Sequence, residues 1–277
     1  MISRLGNHFS VPAHDFDALC NVLRRDLKAS TLYDRGRWQS QDVSARPEMN
    51  THELWNVSIE YDMPQALGAL QRNVEPNLPW ADDHFKERVS GEPLNPPPSS
   101  SWWPFNRKDN AEHKSDNQFS HTYPERFWPK QAGRPHGPYS YEGLRGNIGI
   151  RFDYGDLADV VQQLRDDPFT RQAYLPVWFP EDTGAVHKER VPCSLGYHFV
   201  RNGPQLDCNY FMRSCDYFRH FRDDVYLAIR LTMWINDQLP KDDRLGVPWP
   251  GKLNMFISNL HCFRGDKWLL DRPAMTR

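Results

Sequence analysis

Residues Val191–Arg230 read VPCSLGYHFVRNGPQLDCNYFMRSCDYFRHFRDDVYLAIR. Two strand-like runs, Tyr197–Asn202 and Gln205–Met212, flank Gly203-Pro204, a pair that turns the chain. Apolar periodicity then sets in and predicts one long buried helix over Asp224–Leu239, through Val225, Leu227, Ala228, Ile229, Leu231, Trp234 and Ile235. Cys193 follows a proline directly and precedes the first run. Arg213-Ser214-Cys215-Asp216 closes the second. A thiol nucleophile, a guanidinium suited to phosphate and a helix-start carboxylate thus fall within about one supersecondary unit.

Outward from this stretch, helices and strands mix without regular alternation, which predicts an α+β fold and not a doubly wound sheet. Towards the N-terminus, His14–Lys28 carries a helical apolar face at Phe16, Leu19, Cys20, Leu23 and Leu27. Tyr33–Asp42 is turn-like, basic and aromatic. Glu53–Tyr61 reads as a strand and Pro64–Asn73 as a short helix. Ala81–Val89 is helical and ends near Gly91, before Pro96-Pro97-Pro98 forces a loop up to Trp103. Asn106–Gln118 is a polar excursion, and Gly133–Gly149 a glycine-rich loop. Asp156–Asp166 is a helix with Leu157, Val160, Val161 and Leu164 on one face. Gln172–Trp178 is a strand that Pro176 confines to an edge or a bulge. Leu253–Phe263 is a further strand.

The 277 residues suffice for a full core in one large domain. They are 39% hydrophobic and 13% aromatic, with 23 prolines. A mean hydropathy of -0.77 fits long polar surface loops on a globular chain. A formal charge of -2 gives no bulk attraction to nucleic acid or to an anionic membrane, so a phosphate must be met by a local arginine cluster. Five cysteines without a Cys-x-x-Cys pair argue against structural zinc and against a secreted disulfide scaffold. The first residues carry no signal-peptide apolar region and no run has the length of a membrane span, so the expected location is the cytoplasm.

The motifs resemble the active-site core of thymidylate synthases and of their relatives, the pyrimidine-nucleotide hydroxymethylases. Pro192-Cys193 matches the family nucleophile, and Arg213-Ser214-x-Asp216 its phosphate and base-binding turn, with Met212 where the family carries glutamine. Asp167-Pro168-Phe169-Thr170-Arg171 with Trp178 is similar to the family's dimer-spanning arginine segment, with Gln172 in place of the second arginine. Tyr123-Pro124-Glu125-Arg126-Phe127-Trp128 resembles a pocket-lining segment, and His261-Cys262-Phe263 the ribose-binding His-x-Tyr without its phenol. The resemblance is firmest over 123–263. It implies a mixed sheet flanked by helices, one domain over 1–277 and a homodimer through the sheet face. It also implies a pyrimidine nucleoside monophosphate as substrate and 5,10-methylenetetrahydrofolate as co-substrate, with no metal.

On that resemblance Cys193 adds to C6 of the pyrimidine, while Cys20, Cys208, Cys215 and Cys262 keep the bland reading of small buried hydrophobes. Arg213, Ser214 and the partner-reaching Arg171 hold phosphate; Arg37 is an N-terminal phosphate candidate with Arg35 as its rival. Asp216 meets the base edge through its backbone, Tyr123 faces the pyrimidine, and His261 meets the sugar. Lys130 reaches a ribose hydroxyl or the folate, and Ala173 leaves room for a 2'-hydroxyl or is plain core. Glu87 is the candidate acid/base, with Glu92 as rival, and Trp102 and Trp103 are candidates to stack on the folate pteridine.

Asp224 stands where thymidylate synthases place an asparagine. A carboxyl group accepts from cytosine N4-H and, when protonated, donates to N3, which is similar to the cytidylate 5-hydroxymethylases. Asp223 is its neighbour and rival. Ala173 inclines the choice to CMP over dCMP; a uridylate hydroxymethylase or methylase, and a nucleotide-binding dimer without chemistry, are the alternatives. Asp271–Arg277 lacks the synthases' apolar closing tail, which leans towards water and away from hydride in the last step.

Overall fold

The computed structural model describes residues 1–38, 41–105, 114–115, 118–132, 155–183, 190–240, 246 and 248–271. Their nine-stranded mixed sheet is built from β1 (Ser3–Leu5), β2 (His8–Val11), β3 (Leu32–Tyr33), β4 (Thr51–Asp62), β5 (Tyr174–Pro176), β6 (Ser194–Asn202), β7 (Gln205–Met212), β8 (Cys215–Asp216) and β9 (Trp249–Phe263). The spatial order is β1-β2-β4-β9-β7-β6-β5, with β8 paired to β9 and β3 to β4. Helices α1 (Phe16–Ala29), α2 (Leu67–Val74), α3 (Trp80–Arg88), α4 (Tyr123–Phe127), α5 (Pro129–Ala132), α6 (Leu157–Asp166), α7 (Phe221–Gln238) and α8 (Lys267–Asp271) flank it. The expected α+β architecture, a mixed sheet flanked by helices, is what the chain adopts.

Strand periodicity explains which face is covered. In β7 every second residue is buried (Leu206, Cys208, Tyr210, Met212). Leu253, Met255 and Ile257 of β9 and Val57, Ile59 and Tyr61 of β4 continue that face. Helix α7 closes over it with Val225, Leu227, Ala228, Ile229, Leu231 and Ile235. Truncating one large aliphatic here, such as Ile229→Ala, removes about 2–5 kcal/mol of stability. The alternate residues point outward: Phe256 is exposed between buried Met255 and Ile257, and its ring stacks on Phe211 at 5.2 Å.

The β6–β7 hairpin places the chemistry. Asn202 pairs with Gln205 across Gly203-Pro204, and Gly203 takes φ +60°, which glycine adopts without a Cβ penalty. Gly196 has a different reason: a Cβ there would sit 2.8 Å from the Leu175 carbonyl and 2.2 Å from the Tyr174 hydroxyl, so β5 could not lie against β6. That leaves β5 on the sheet edge, as Pro176 predicts.

Three details differ from the sequence reading. The N-terminal hairpin β1–β2 carries no strong strand signal, because Ser3–Leu5 is exposed throughout. Parallel pairing of β2 with β4 fixes it in place. The proline run does not give a plain loop: Pro98 starts a short 3-10 turn, Pro98–Trp102. Tyr33–Asp42 contains a small antiparallel pair, Arg37–Trp38 with Gln41–Asp42. Most of the predicted Asn106–Gln118 excursion, all of Gly133–Gly149 and residues 272–277 of the C-terminal end lie outside the described residues.

Candidate active site

Cys193 stands immediately before β6 and Arg213 immediately after β7. The pairing of Ser194 with Met212 brings them together. The Arg213 amide donates to the Cys193 carbonyl at 2.9 Å. Its guanidinium donates from Nε to Pro192 O at 2.8 Å and from Nη2 to Val191 O at 3.0 Å. Wrapped in this way, Nη2 lies 3.9 Å from Cys193 Sγ. Burial pushes the Cys193 thiol up, and the positive charges of Arg213 and Arg190 oppose it. The thiol therefore rests protonated at neutral pH, with two guanidinium groups ready to favour the thiolate.

Ser214 and His261 meet beside this pair, Ser214 Oγ lying 3.3 Å from His261 Nδ1. His261 packs edge-on against Trp38 and Phe263. Burial pushes its pKa down to about 4, so the ring is neutral at pH 7. Its Nε2 has no partner among the described residues. Asp216 uses its carboxylate on the amides of Phe218 and Arg219 at 3.1 and 3.2 Å, which shapes the turn into α7. Burial raises it to about 6, opposed by Arg219.

The two aspartates of the α7 first turn have separate fates. Asp223 accepts from both Asn77 N and Asn77 Nδ2 at 2.8 Å, pinning α7 to the segment before α3. Asp224 is buried on the other side, where the Cys215 thiol approaches at 3.6 Å. Burial raises Asp224 to about 7, opposed by Arg88. Tyr123 opens α4 behind a Thr122–Glu125 capping box. Its hydroxyl shares a 2.7 Å hydrogen bond with Ser194 Oγ, one residue past Cys193. The structure thus gathers Cys193, Arg213, Ser214, His261, Asp224 and Tyr123 around the ends of β6, β7, β8 and β9.

Other candidates have other partners. Glu87 accepts from Ser99 N at 2.6 Å, from Ser99 Oγ and from His84 Nδ1 at 3.5 Å. Burial pushes its carboxyl up, but the His84 and Ser99 hydrogen bonds outweigh this and hold it below its ordinary value. Trp103 stacks on His220 at 5.0 Å and 18°, with its Nε1 buried and without a partner among the described residues. Trp102 is exposed. Lys130 is paired with Asp159 at 2.5 Å. Ala173 is fully buried in the core, and its carbonyl accepts from Phe199 N. Arg171 and Arg37 are exposed, whereas Arg35 is bound to Glu53 and Thr51.

One residue of this site is missing from the sequence reading. Arg88, the last residue of α3, is buried with its guanidinium 3.8 Å above the Tyr123 ring. The only cue was its place beside Glu87, and on a polar helix end that cue is indistinguishable from solvated charge.

The α+β frame thus carries a proline-preceded cysteine with an arginine on its sulfur, and a buried carboxyl at the start of α7. A profile of the thymidylate synthase family matches residues 104–246, just over half of the chain, and the chain belongs to that family. Two similar curated proteins are thymidylate synthases. That of Rhodopseudomonas palustris (strain BisA53) is 24% identical over 125 residues, covering 45% of this chain and 41% of that protein. That of Sphingopyxis alaskensis (strain DSM 13593 / LMG 18877 / RB2256) is 30% identical over 101 residues, covering 35% and 32%. The chain therefore spans less than half the length of these relatives. Cys193, Arg213, Asp216 and Asp224 fall inside the matched segment; Glu87, Trp102, Trp103 and His261 fall outside it.

Proposed function

We propose that this chain is a folate-dependent one-carbon transferase that acts on C5 of a pyrimidine nucleoside monophosphate, and that the nucleotide is a cytidylate converted to its 5-hydroxymethyl derivative. The observation that carries the reading is the pairing of Cys193, held against Arg213 at 3.9 Å, with the buried carboxyl of Asp224. A carboxyl raised to about 7 is present in both protonation states near neutrality. It can accept from N4-H and donate to N3, a pattern that cytosine offers and uracil does not.

In this proposal Arg213 and Ser214 hold the phosphate and His261 meets the sugar. Cys193 forms a bond to C6, which makes C5 nucleophilic, and leaves again once C5 is substituted. When bound, 5,10-methylenetetrahydrofolate supplies the one-carbon unit. The residues present fit such a group: Trp103 and His220 offer stacked flat faces, with the unpartnered Trp103 Nε1 as a donor. Glu87 enters as the anchor of the turn that carries Trp102 and Trp103, and it acts as proton shuttle only by releasing Ser99. CMP is retained as first substrate and dCMP as its alternative, although Ala173, lying in the core, gives the 2'-hydroxyl no support. A second copy of the chain is the proposed partner. The outward-facing Phe256 and the exposed, edge-placed Arg171 support contact across the sheet.

The test is incubation with methylenetetrahydrofolate and equimolar CMP, dCMP, UMP and dUMP, read by product mass. A hydroxymethyl gain on a cytidylate is expected, and the CMP/dCMP ratio decides the sugar. A methyl gain, or product from a uridylate alone, overturns the cytidylate reading, and no product from any nucleotide favours a binding protein without chemistry.

A further inference from the structure

Arg88 and Asp224 are opposite charges buried at one site by different elements. Arg88 comes from the C-terminal end of α3 and is 5% exposed; Asp224 comes from the first turn of α7 and is 8% exposed. Among the described residues neither side chain has an ion-pair partner. Arg88 Nε is buried without a hydrogen bond among the described residues, and the guanidinium rests 3.8 Å over the Tyr123 ring. The Asp224 carboxyl meets a weak thiol donor, Cys215 Sγ at 3.6 Å. A buried guanidinium or carboxylate without a counter-charge is costly, so each of these two groups bears on how the other holds its charge.

The groups facing Asp224 are Arg88 from α3, Tyr123 from α4, Cys193 and Tyr197 at β6, Tyr210 from β7, Cys215 and Asp216 from β8, and Asp223 on its own helix. The tyrosines are raised by burial and stay neutral in the working range. Asp223 and Asp216 disfavour a negative charge on Asp224, and Arg88 is the cation that favours it; Asp216 has Arg219 as its own cation.

We propose that Arg88 is a positioning residue that acts through Asp224, as the counter-charge for the carboxylate left when Asp224 gives its proton to N3 of the bound base. This rests on the cytidylate reading. As the Cys193 thiol gives up its proton to solvent and the thiolate bonds to C6, the C5=C6 pair shifts to C4–C5. N3 takes up the C4–N3 pair together with the Asp224 proton, and the new carboxylate lies beside Arg88. The proton returns to Asp224 when Cys193 leaves. Without Arg88 the carboxyl keeps its proton more tightly and the addition slows.

The test has two independent arms. In the nucleotide-free protein, the protonated carboxyl of Asp224 is followed against pH by infrared difference spectroscopy and assigned by its loss in Asp224→Asn. Arg88→Met moves the midpoint up by about one pH unit or more, and Arg88→Lys largely restores it. In the second arm, Cys193-dependent exchange of the cytidylate C5 hydrogen with deuterated water is followed without folate. Arg88→Met loses about tenfold in exchange rate, the factor that one pH unit represents, with little change in KM. In an Asp224→Asn background it loses nothing further. An unmoved midpoint, or the same loss in both backgrounds, overturns the proposal. A shifted midpoint with no turnover of any cytidylate keeps the charge couple and overturns the cytidylate reading instead. Melting curves of both Arg88 variants establish that they are folded, and the lysine variant carries the test where methionine unfolds the chain.

Discussion

The sheet wall of the site and the α3 wall contain the same kinds of group, spent in opposite ways. On the sheet wall, His261 Nε2 is left without a partner among the described residues, and beside it the side chain of Asp224, from α7, meets the Cys215 thiol. On the α3 wall, both Glu87 oxygens are taken by Ser99, with His84 in reach. Buried polar groups are normally satisfied, so Glu87 reads as scaffold, whereas His261 Nε2 and Arg88 Nε are left open among the described residues. A conspicuous glutamate and a quiet arginine thereby exchange importance: Glu87 holds a turn, while Arg88, one residue on, lies over the Tyr123 ring.

The sharpest way to break this contrast is Cys193→Ser. A loss of roughly 10^3-fold or more in product formation, with melting temperature nearly unchanged, is expected for a nucleophile on the open wall. A small loss would remove the sheet wall from the chemistry.

Asp224→Asn comes next. Burial lifts its folded pKa to about 7, above the ordinary aspartate value of 3.8, so the folded state binds the proton more tightly than the unfolded one. The stability associated with that proton is fully present below about pH 4 and is lost as pH rises through about 7. The asparagine variant is therefore more stable than the native protein at pH 8, by at most roughly 4 kcal/mol, and gains nothing at pH 4. Denaturant midpoints at the two pH values check this, and a pH-independent difference would mean that Asp224 is not the isolated buried acid described here. In turnover, the same variant shifts preference towards uridylates.

Glu87→Ala sharpens the other wall. It leaves the Ser99 amide without its acceptor and lowers stability by about 1–3 kcal/mol. Urea unfolding measures that loss, and Trp103 fluorescence follows the neighbouring turn. An unchanged stability would contradict the scaffold role. The smallest structural effect is expected at Arg171→Ala. An exposed edge residue costs within about 0.5 kcal/mol of stability. Nucleotide affinity falls all the same if the guanidinium serves a second copy, and titration calorimetry separates the two quantities.

Much of the frame was legible because periodicity survives in local sequence. Helices α1, α6 and α7 and strands β4, β6, β7 and β9 all carry their apolar spacing openly. Pro176 marked β5 as an edge. The N-terminal hairpin was not legible, since its pairing partner β4 is some fifty residues away and its own first strand is exposed. Cys193, Arg213 and Ser214 are contiguous with recognisable motifs, and the structure brings Arg213 to the Cys193 sulfur and Ser214 to His261. Ala173 was read either as room for a 2'-hydroxyl or as plain core, and it lies in the core; a single small residue carries no directional signal to choose between the two. Lys130 was expected near ribose or folate and is paired with Asp159, a contact set by the packing of α5 against α6.

The sequence alone determined the α+β class, the hairpin with its flanking cysteine and arginine, and the pair of carboxyls at the start of α7. Which carboxyl turns inward was decided only in three dimensions. Adjacent helix residues differ by about 100° around the axis, so whichever one Asn77 captures leaves the other facing Tyr123. Tertiary structure alone also set Arg88 over Tyr123, since burial of a charge depends on what packs around a helix end and not on the residues within it.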